Sequence, residues 1–263
     1  MSPLPMSMPV AFFGHGSPFN TIDDNRYTRA WRAYGAALPP PRAILVVSAH
    51  WYVPGTRVTA AAQPRTVHDF NSTFAPPLFA FEYPADGDAA LVARVVELAR
   101  PIEVVRDAAS WGIDHGAFSV LAHLFPGAPI PVVELSIDRT KPAAFHYDLG
   151  QRLAPLRDEG VFIMGSGNVV HNLELGDFQS SEPYDWAVRF DTTVLELLAA
   201  RDHQALVDYH RLGPDARLAV PTPDHYYPLL YAIAAQRANE RVATIVDGYT
   251  FRSGSMLSIG IGP

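Results

Sequence analysis

The stretch Ala43-Ile44-Leu45-Val46-Val47-Ser48-Ala49-His50-Trp51 decides the fold. Ala43 to Val47 are apolar without a break. A continuous apolar run of this kind suits a strand covered on both faces of a parallel sheet. The run then gives way to Ser48 and His50. In open α/β sheets, ligands bind just beyond the carboxyl ends of the strands, so His50 stands where a functional group belongs. Taken alone, a histidine at a strand end is more often a satisfied structural residue.

The same pattern recurs twice. Val10-Ala11-Phe12-Phe13 leads into Gly14-His15-Gly16-Ser17-Pro18, and Val161-Phe162-Ile163-Met164 leads into Gly165-Ser166-Gly167-Asn168 and on to His171. Three apolar strands each running toward a histidine predict imidazoles that converge at one edge of a sheet. That arrangement implies a metal site, or a general base beside one.

Outward from these strands, further strands are expected at 56–61, 103–106, 131–137, 242–246 and 255–261. Helices are expected at 27–38, 88–99, 142–157 and 186–200, from apolar periodicity and from proline stops such as Pro39-Pro40-Pro41. Asp114 suits a helix N-cap, which puts His115 at the first helical position. Pro228 is comfortable only in a first turn, so a helix begins near 224–227 with His225 at its N-terminus. The helix dipole there disfavours imidazolium, and a neutral imidazole is what a metal needs. His123 is expected to be solvated, and His146, His203 and His210 to lie on the surface. The alternation predicts an α/β fold: a single three-layer α/β/α domain over 1–263, with a central mostly parallel or mixed sheet and the active site at strand ends. Residues 62–87 carry several prolines with Phe70, Phe74, Phe79, Phe81 and Tyr83. They read as a long aromatic loop, either a pocket wall or lid or packing over the sheet.

Composition narrows the function. The 263 residues are 48% hydrophobic and 18% charged, enough for a sizeable core. With 20 Lys plus Arg against 27 Asp plus Glu, the net charge is −7. No basic stripe is present, which argues against nucleic acid and anionic membrane partners. The absence of cysteine excludes disulfides, thiolate nucleophiles and cysteine metal sites. Met1 to Pro9 has no basic n-region and is not a signal peptide, and no run approaches the roughly 18 apolar residues of a membrane span. A cytoplasmic protein without an obligate protein partner is expected. There is no HExxH, Walker or dinucleotide motif, and no G-x-S-x-G elbow.

Taken together, six segments carry a specific resemblance. They are Gly14-His15-Gly16-Ser17-Pro18, Ser48-Ala49-His50-Trp51, Trp111-Gly112-Ile113-Asp114-His115-Gly116, Leu135-Ser136-Ile137-Asp138, Gly165-Ser166-Gly167-Asn168-Val169-Val170-His171-Asn172 and Pro221-Thr222-Pro223-Asp224-His225-Tyr226. In this order the chain resembles the class III extradiol ring-cleavage dioxygenases, in the branch similar to DOPA 4,5-dioxygenase. The resemblance implies metal ligation by His15, His50 and His225, with His171 as catalytic acid/base. His115 would be a second catalytic residue that binds substrate. It implies Fe(II) for activity, a DOPA-like catechol and O2 as small-molecule partners, and a ring-opened semialdehyde as product. The aromatic loop 70–83 would exclude water.

Three histidines depart from the common two-histidine, one-carboxylate iron site. Asp224 and Glu134 therefore stay open as carboxylate candidates. Three neutral ligands also suit zinc, so a resting Zn(II) form with His171 as fourth ligand is a further expectation. The alternatives are a zinc-dependent hydrolase on the same histidines, with His171 activating the metal-bound water, and a structural or storage histidine cluster. The latter fits poorly in a chain without cysteine.

Overall fold

The computed structural model describes residues 7–70, 76–180 and 182–262. Residues 1–6, at the start of the stretch compared with a signal peptide, and Phe74 of the aromatic loop lie outside that set. In chain order the strands are β1 (Val10–Gly14), β2 (Ala43–Val53), β3 (Thr56–Thr59), β4 (Thr66–Val67), β5 (Val104–Asp107), β6 (Ile113–Asp114), β7 (Val132–Asp138), β8 (Val161–Gly167), β9 (Val242–Val246), β10 (Tyr249–Thr250), β11 (Gly254–Ser255) and β12 (Ser258–Ile261). Eight of them form one sheet in the order β5-β3-β7-β2-β8-β1-β12-β9. The inner strands β7, β2, β8 and β1 run parallel. Antiparallel pairing enters at β3 with β7, at β1 with β12 and at β12 with β9. The sheet is therefore mixed and mostly parallel at its centre, as expected.

The unbroken apolar run of β2 has its explanation here. Leu45 and Val47 point into one core, packed with Leu91, Leu149 and Leu229 from helices on that face. Ile44 and Val46 point into the other, with Trp31, Phe118 and Leu121. Both faces of the strand are covered, so neither tolerates a polar residue. These are the two outer layers of an α/β/α sandwich.

β2 is longer than predicted, and its extra length matters. Ser48 still pairs with Ser166 of β8. On the other side, pairing with β7 jumps from Val47–Leu135 to Tyr52–Ile137. Residues 48–51 thus leave the regular β7 ladder, an irregularity of the kind that re-aims a side chain, and His50 sits within it.

Several expectations need correction. The predicted 142–157 helix stops at Leu153 and continues as a 3-10 turn over Ala154–Glu159, because Pro155 cannot donate to the preceding turn. The 255–261 strand is broken into β11 and β12. His146 is buried, not on the surface: its Nδ1 lies 2.9 Å from the Tyr231 hydroxyl. His123 is also buried, with Nε2 2.6 Å from the Asn20 carbonyl. In both cases the helix face that periodicity left outside is covered by a neighbouring element. His210 is exposed as expected, while His203 is half-buried between Tyr147 and Gln236. Within 62–87, β4 pairs with β6 and Pro76–Phe79 forms a short helix. Both readings of its aromatics hold in part. Tyr83 packs into the core and donates to the Phe125 carbonyl, whereas Phe70 faces a cavity. No described helix is long and apolar enough to cross a membrane.

Candidate active site

Two glycines let the site assemble. Asn168 N–H donates to the His225 carbonyl at 2.9 Å, tying the end of β8 to the segment before helix Tyr227–Ala234. A Cβ on Gly167 would stand 2.1 Å from that carbonyl oxygen, so the close approach needs glycine. Gly116 likewise opens space for His50, whose Cδ2 would lie 2.8 Å from a Cβ there.

His15 follows β1 directly. Its N–H donates to the Gly167 carbonyl, and its ring Nδ1 lies 3.0 Å from Ser166 Oγ. The Ser166 hydroxyl already donates to the Gly116 carbonyl at 2.5 Å. It must therefore accept from His15 Nδ1–H, which leaves the Nε2 lone pair free. In His225, Nδ1 is hydrogen-bonded to Asp224 Oδ2, which again turns Nε2 outward. His50 Nδ1 stands 2.9 Å from Asp69 Oδ2, an ion-pair contact. His50 Nε2 lies 3.1 Å from His15 Nε2. A carboxylate or hydroxyl on the far nitrogen is how proteins fix the tautomer of a metal-ligating histidine.

The ring centroids of His15, His50 and His225 form a near-equilateral triangle of 5.0, 5.3 and 5.2 Å. Three imidazoles binding one ion at about 2.1 Å should keep centroids roughly 4.6–5.3 Å apart. The spacing of these three rings suits a divalent metal, while the donor atoms that lie together within 4.8 Å are those of His15, His50 and His115.

His115 is the first residue of helix His115–Leu124, capped by Asp114 as predicted. Its backbone N–H and its Nδ1 both reach Asp69 Oδ1, at 3.0 and 2.8 Å. Its ring lies 3.9 Å from that of His50 and 5.6 Å from that of His15, and donor atoms of His15, His50 and His115 all lie within 4.8 Å of one another. Donors of His171, Asp224 and His225 form a second such group. His171 stacks flat on His225 at 3.5 Å and 8°.

Five imidazoles in one buried cluster repel protons from each other. Burial first, then the neighbouring rings, holds His15 and His171 well below the usual range. The same causes bring His115 down to about 4, against the pull of Asp69. His225 is lowered by burial despite Asp224. His50 alone is raised: burial opposes the proton, but Asp69, Asp114 and Asp224 together outweigh it. Burial pushes Asp69 and Asp224 upward, yet their histidine contacts prevail and hold both well below the carboxylate range.

Of the two carboxylate candidates, Glu134 lies behind the site. It accepts from Asp114 N and Trp111 Nε1, and burial with Asp114 beside it drives its carboxyl well upward. Asp224 is engaged in orienting His225. Asp69 is the residue that sequence reasoning missed. It is the one acidic residue between 62 and 81, and that isolation in an aromatic stretch was its only signal.

All five histidines face one cavity of about 580 Å³. Its remaining wall is Gly16, Ser17, Pro18, Phe19, Phe70, Leu173, Phe178, Thr250 and Phe251. Leu173, Phe178 and the 250–251 strap were not anticipated, because they come from loops without a motif.

Comparison with known proteins agrees with this picture. The catalytic LigB subunit family of aromatic ring-opening dioxygenases matches residues 14–254. The chain is 48% identical to 4,5-DOPA dioxygenase extradiol of Escherichia coli (strain K12), over 97% of this chain and 95% of that one. It is 34% identical to the Beta vulgaris protein of the same name, over 95% and 93%. A crystal structure of an uncharacterized Escherichia coli K12 protein superposes with a TM-score of 0.85 at 44% identity, covering 97% of this chain and 100% of that one. The chain belongs to the LigB family of extradiol, aromatic ring-opening dioxygenases. Within it the chain is an extradiol ring-cleavage enzyme similar to the 4,5-DOPA dioxygenases, and membership implies a metal, a catechol-like aromatic substrate and O2. That speaks for oxygenation over the hydrolase alternative.

Proposed function

We propose that this chain is an iron(II)-dependent enzyme that opens a DOPA-like catechol ring beside its diol and incorporates both atoms of O2 to give a semialdehyde. The whole chain, 1–263, serves as one catalytic domain around the cavity. His15, His50 and His225 hold the metal. The observation that supports this set is their triangle of 5.0–5.3 Å, with the far nitrogen of each ring facing Ser166, Asp69 or Asp224. Bound Fe(II) supplies the electron transfer between diol and dioxygen.

The protein's own groups do the rest. His171 is neutral at working pH because burial and its neighbours lower it. It can therefore take a proton from a catechol hydroxyl and return it later in the reaction. His115 gives its Nδ1–H to Asp69, so its Nε2 is an acceptor and orients the diol through a hydroxyl. Phe70 stands edge-on to His115 at 5.5 Å and keeps water from that corner. Zinc binding with His171 as fourth ligand would require that ring to leave its stack on His225. At 3.5 Å the two are closer than roughly 4.6 Å, the spacing two ligands of one ion keep.

The test is His171→Ala beside wild type, both loaded with Fe(II) without oxygen and assayed with a catechol. Metal content should be unchanged and turnover should fall about 100-fold or more. Loss of metal in this variant, or full activity without the ring, would overturn its assignment as acid/base.

A further inference from the structure

The turn between β10 and β11 adopts a backbone that its residues disfavour. Phe251 and Arg252 are both left-handed, at φ 41° and 63°. In that region a side chain crowds the following carbonyl, so glycine, asparagine or aspartate is usual there and a bulky residue is an outlier. Among the described residues the other left-handed non-glycines are Ala128 and Arg201, and neither lines the cavity. Strained backbone persists only where its surroundings over-determine it, and it gathers at active sites and ligand clamps.

The surroundings of this turn can be named. Its three successive carbonyls, of Phe251, Arg252 and Ser253, accept from the amides of Asp177, Tyr184 and Asn172 at 3.1, 3.2 and 3.1 Å. Just beyond them Gly254 bridges to His171. The turn thus anchors the stretch that gives His171, Leu173 and Phe178 to the cavity. Phe251 joins that wall from the turn itself, buried and 5.3 Å from the Phe178 ring. Arg252 does not line the cavity. Its guanidinium lies 4.2 Å over the Tyr184 ring, and its Nε donates to the Glu182 carbonyl at 2.9 Å. Tyr184 is a firm support, since it caps helix Asp185–Ala200 and stacks on Trp186 at 5.6 Å and 13°.

Building on the catechol-cleaving reading above, we infer that Arg252 is a positioning residue for the reaction. Without touching the substrate, it clamps the left-handed turn to Tyr184 and Glu182, and the turn holds Phe251 as the wall against which the substrate packs. Loss of the clamp lets the turn relax out of the left-handed region, which draws Phe251 away from Phe178 and pulls the three carbonyls off their amides. Arg252→Ala loses the clamp and keeps the strain. Arg252→Gly loses both, because glycine occupies the left-handed region freely. The glycine variant therefore keeps the wall that the alanine variant loses, an order that an arginine serving only the fold would not produce in substrate affinity.

The test compares iron-loaded wild type, Arg252→Ala and Arg252→Gly. In calorimetry without oxygen, with DOPA as the ligand, Arg252→Ala should bind about fivefold more weakly, the loss of one aromatic contact, with metal content unchanged. Arg252→Gly should return to within about twofold of wild type. Hydrogen exchange without ligand should quicken at the Asp177 and Tyr184 amides in Arg252→Ala and not in Arg252→Gly. Equal DOPA affinity in wild type and Arg252→Ala overturns the inference, and so does a glycine variant as impaired as the alanine one. Admitting oxygen afterwards separates the two claims. Wild type that binds DOPA in the expected order but leaves its ring intact overturns the catechol-cleaving reading alone, whereas turnover by wild type with unchanged affinity in Arg252→Ala overturns the clamp alone.

Discussion

Asp69→Asn removes one charge and leaves the shape nearly intact, which makes it a sharp probe of how the site is held. In the native protein one carboxylate serves two rings. Oδ1 accepts from His115 N at 3.0 Å and His115 Nδ1 at 2.8 Å, and Oδ2 faces His50 Nδ1 at 2.9 Å. The amide keeps one acceptor oxygen, so one side of the bridge survives and the other meets an NH2 donor. A donor facing the His50 Nδ1–H repels it and favours the tautomer that spoils Nε2 as a ligand. Loss of such a partner weakens metal binding about 10–100-fold, or about 1.4–2.7 kcal/mol. Hydrogen bonds to a charged group are worth about 1.5–3 kcal/mol each. With part of the bridge retained, fold stability should drop by about 1–2 kcal/mol. Competition with a fluorescent chelator near neutral pH measures the first quantity, and urea unfolding of the metal-free protein the second. A metal affinity within twofold of wild type would refute the argument that Asp69 fixes the His50 ring.

Three further outcomes are expected. Gly167→Ala should cost about 1–3 kcal/mol by overpacking and should weaken metal binding, since its Cβ would displace the His225 carbonyl; unfolding and chelator competition read both. Glu240→Ala should cost about 3–5 kcal/mol in urea unfolding, because it strands the fully buried Arg157 guanidinium that Glu240 grips at both oxygens. Asp191 is buried against Ser255, and burial raises its carboxyl to about 7. The folded state therefore keeps a proton that the unfolded chain releases above its ordinary pKa near 3.8. Wild-type stability is eroded by this group as pH rises toward 7, by up to about 1.4 kcal/mol per pH unit. Asp191→Asn should therefore gain on wild type between pH 5 and 7 and hold a constant difference above, as read by unfolding at a series of pH values; a difference independent of pH would contradict it.

How much of this could be read beforehand follows from what each signal depends on. The two-sided burial of β2 is local and periodic, so Ile44 to Val47 announced a central strand. His15, His115 and His225 could be found because each stands near an element end, and His50 and His171 because each follows the apolar run of a central strand. Their shared cavity follows from parallel strands with a common end. Asp69 was not legible, since its importance comes from two partners at positions 50 and 115 that only the fold brings to it. His146 and His123 were misjudged for a related reason. Periodicity tells which face of a helix is polar, but not whether Tyr231 or the Asn20 carbonyl lies opposite. The cavity wall at Leu173, Phe178 and Phe251 comes from irregular segments, and no repeat in the sequence marks it.

The most direct test of the central claim is the fate of dioxygen. Iron-loaded protein supplied with isotopically labelled O2 and a catechol should yield a ring-opened semialdehyde with both labelled atoms in it, one molecule of O2 consumed per ring. Product whose carboxylate carries no label, or an intact ring with no oxygen consumed, would contradict extradiol cleavage at this site.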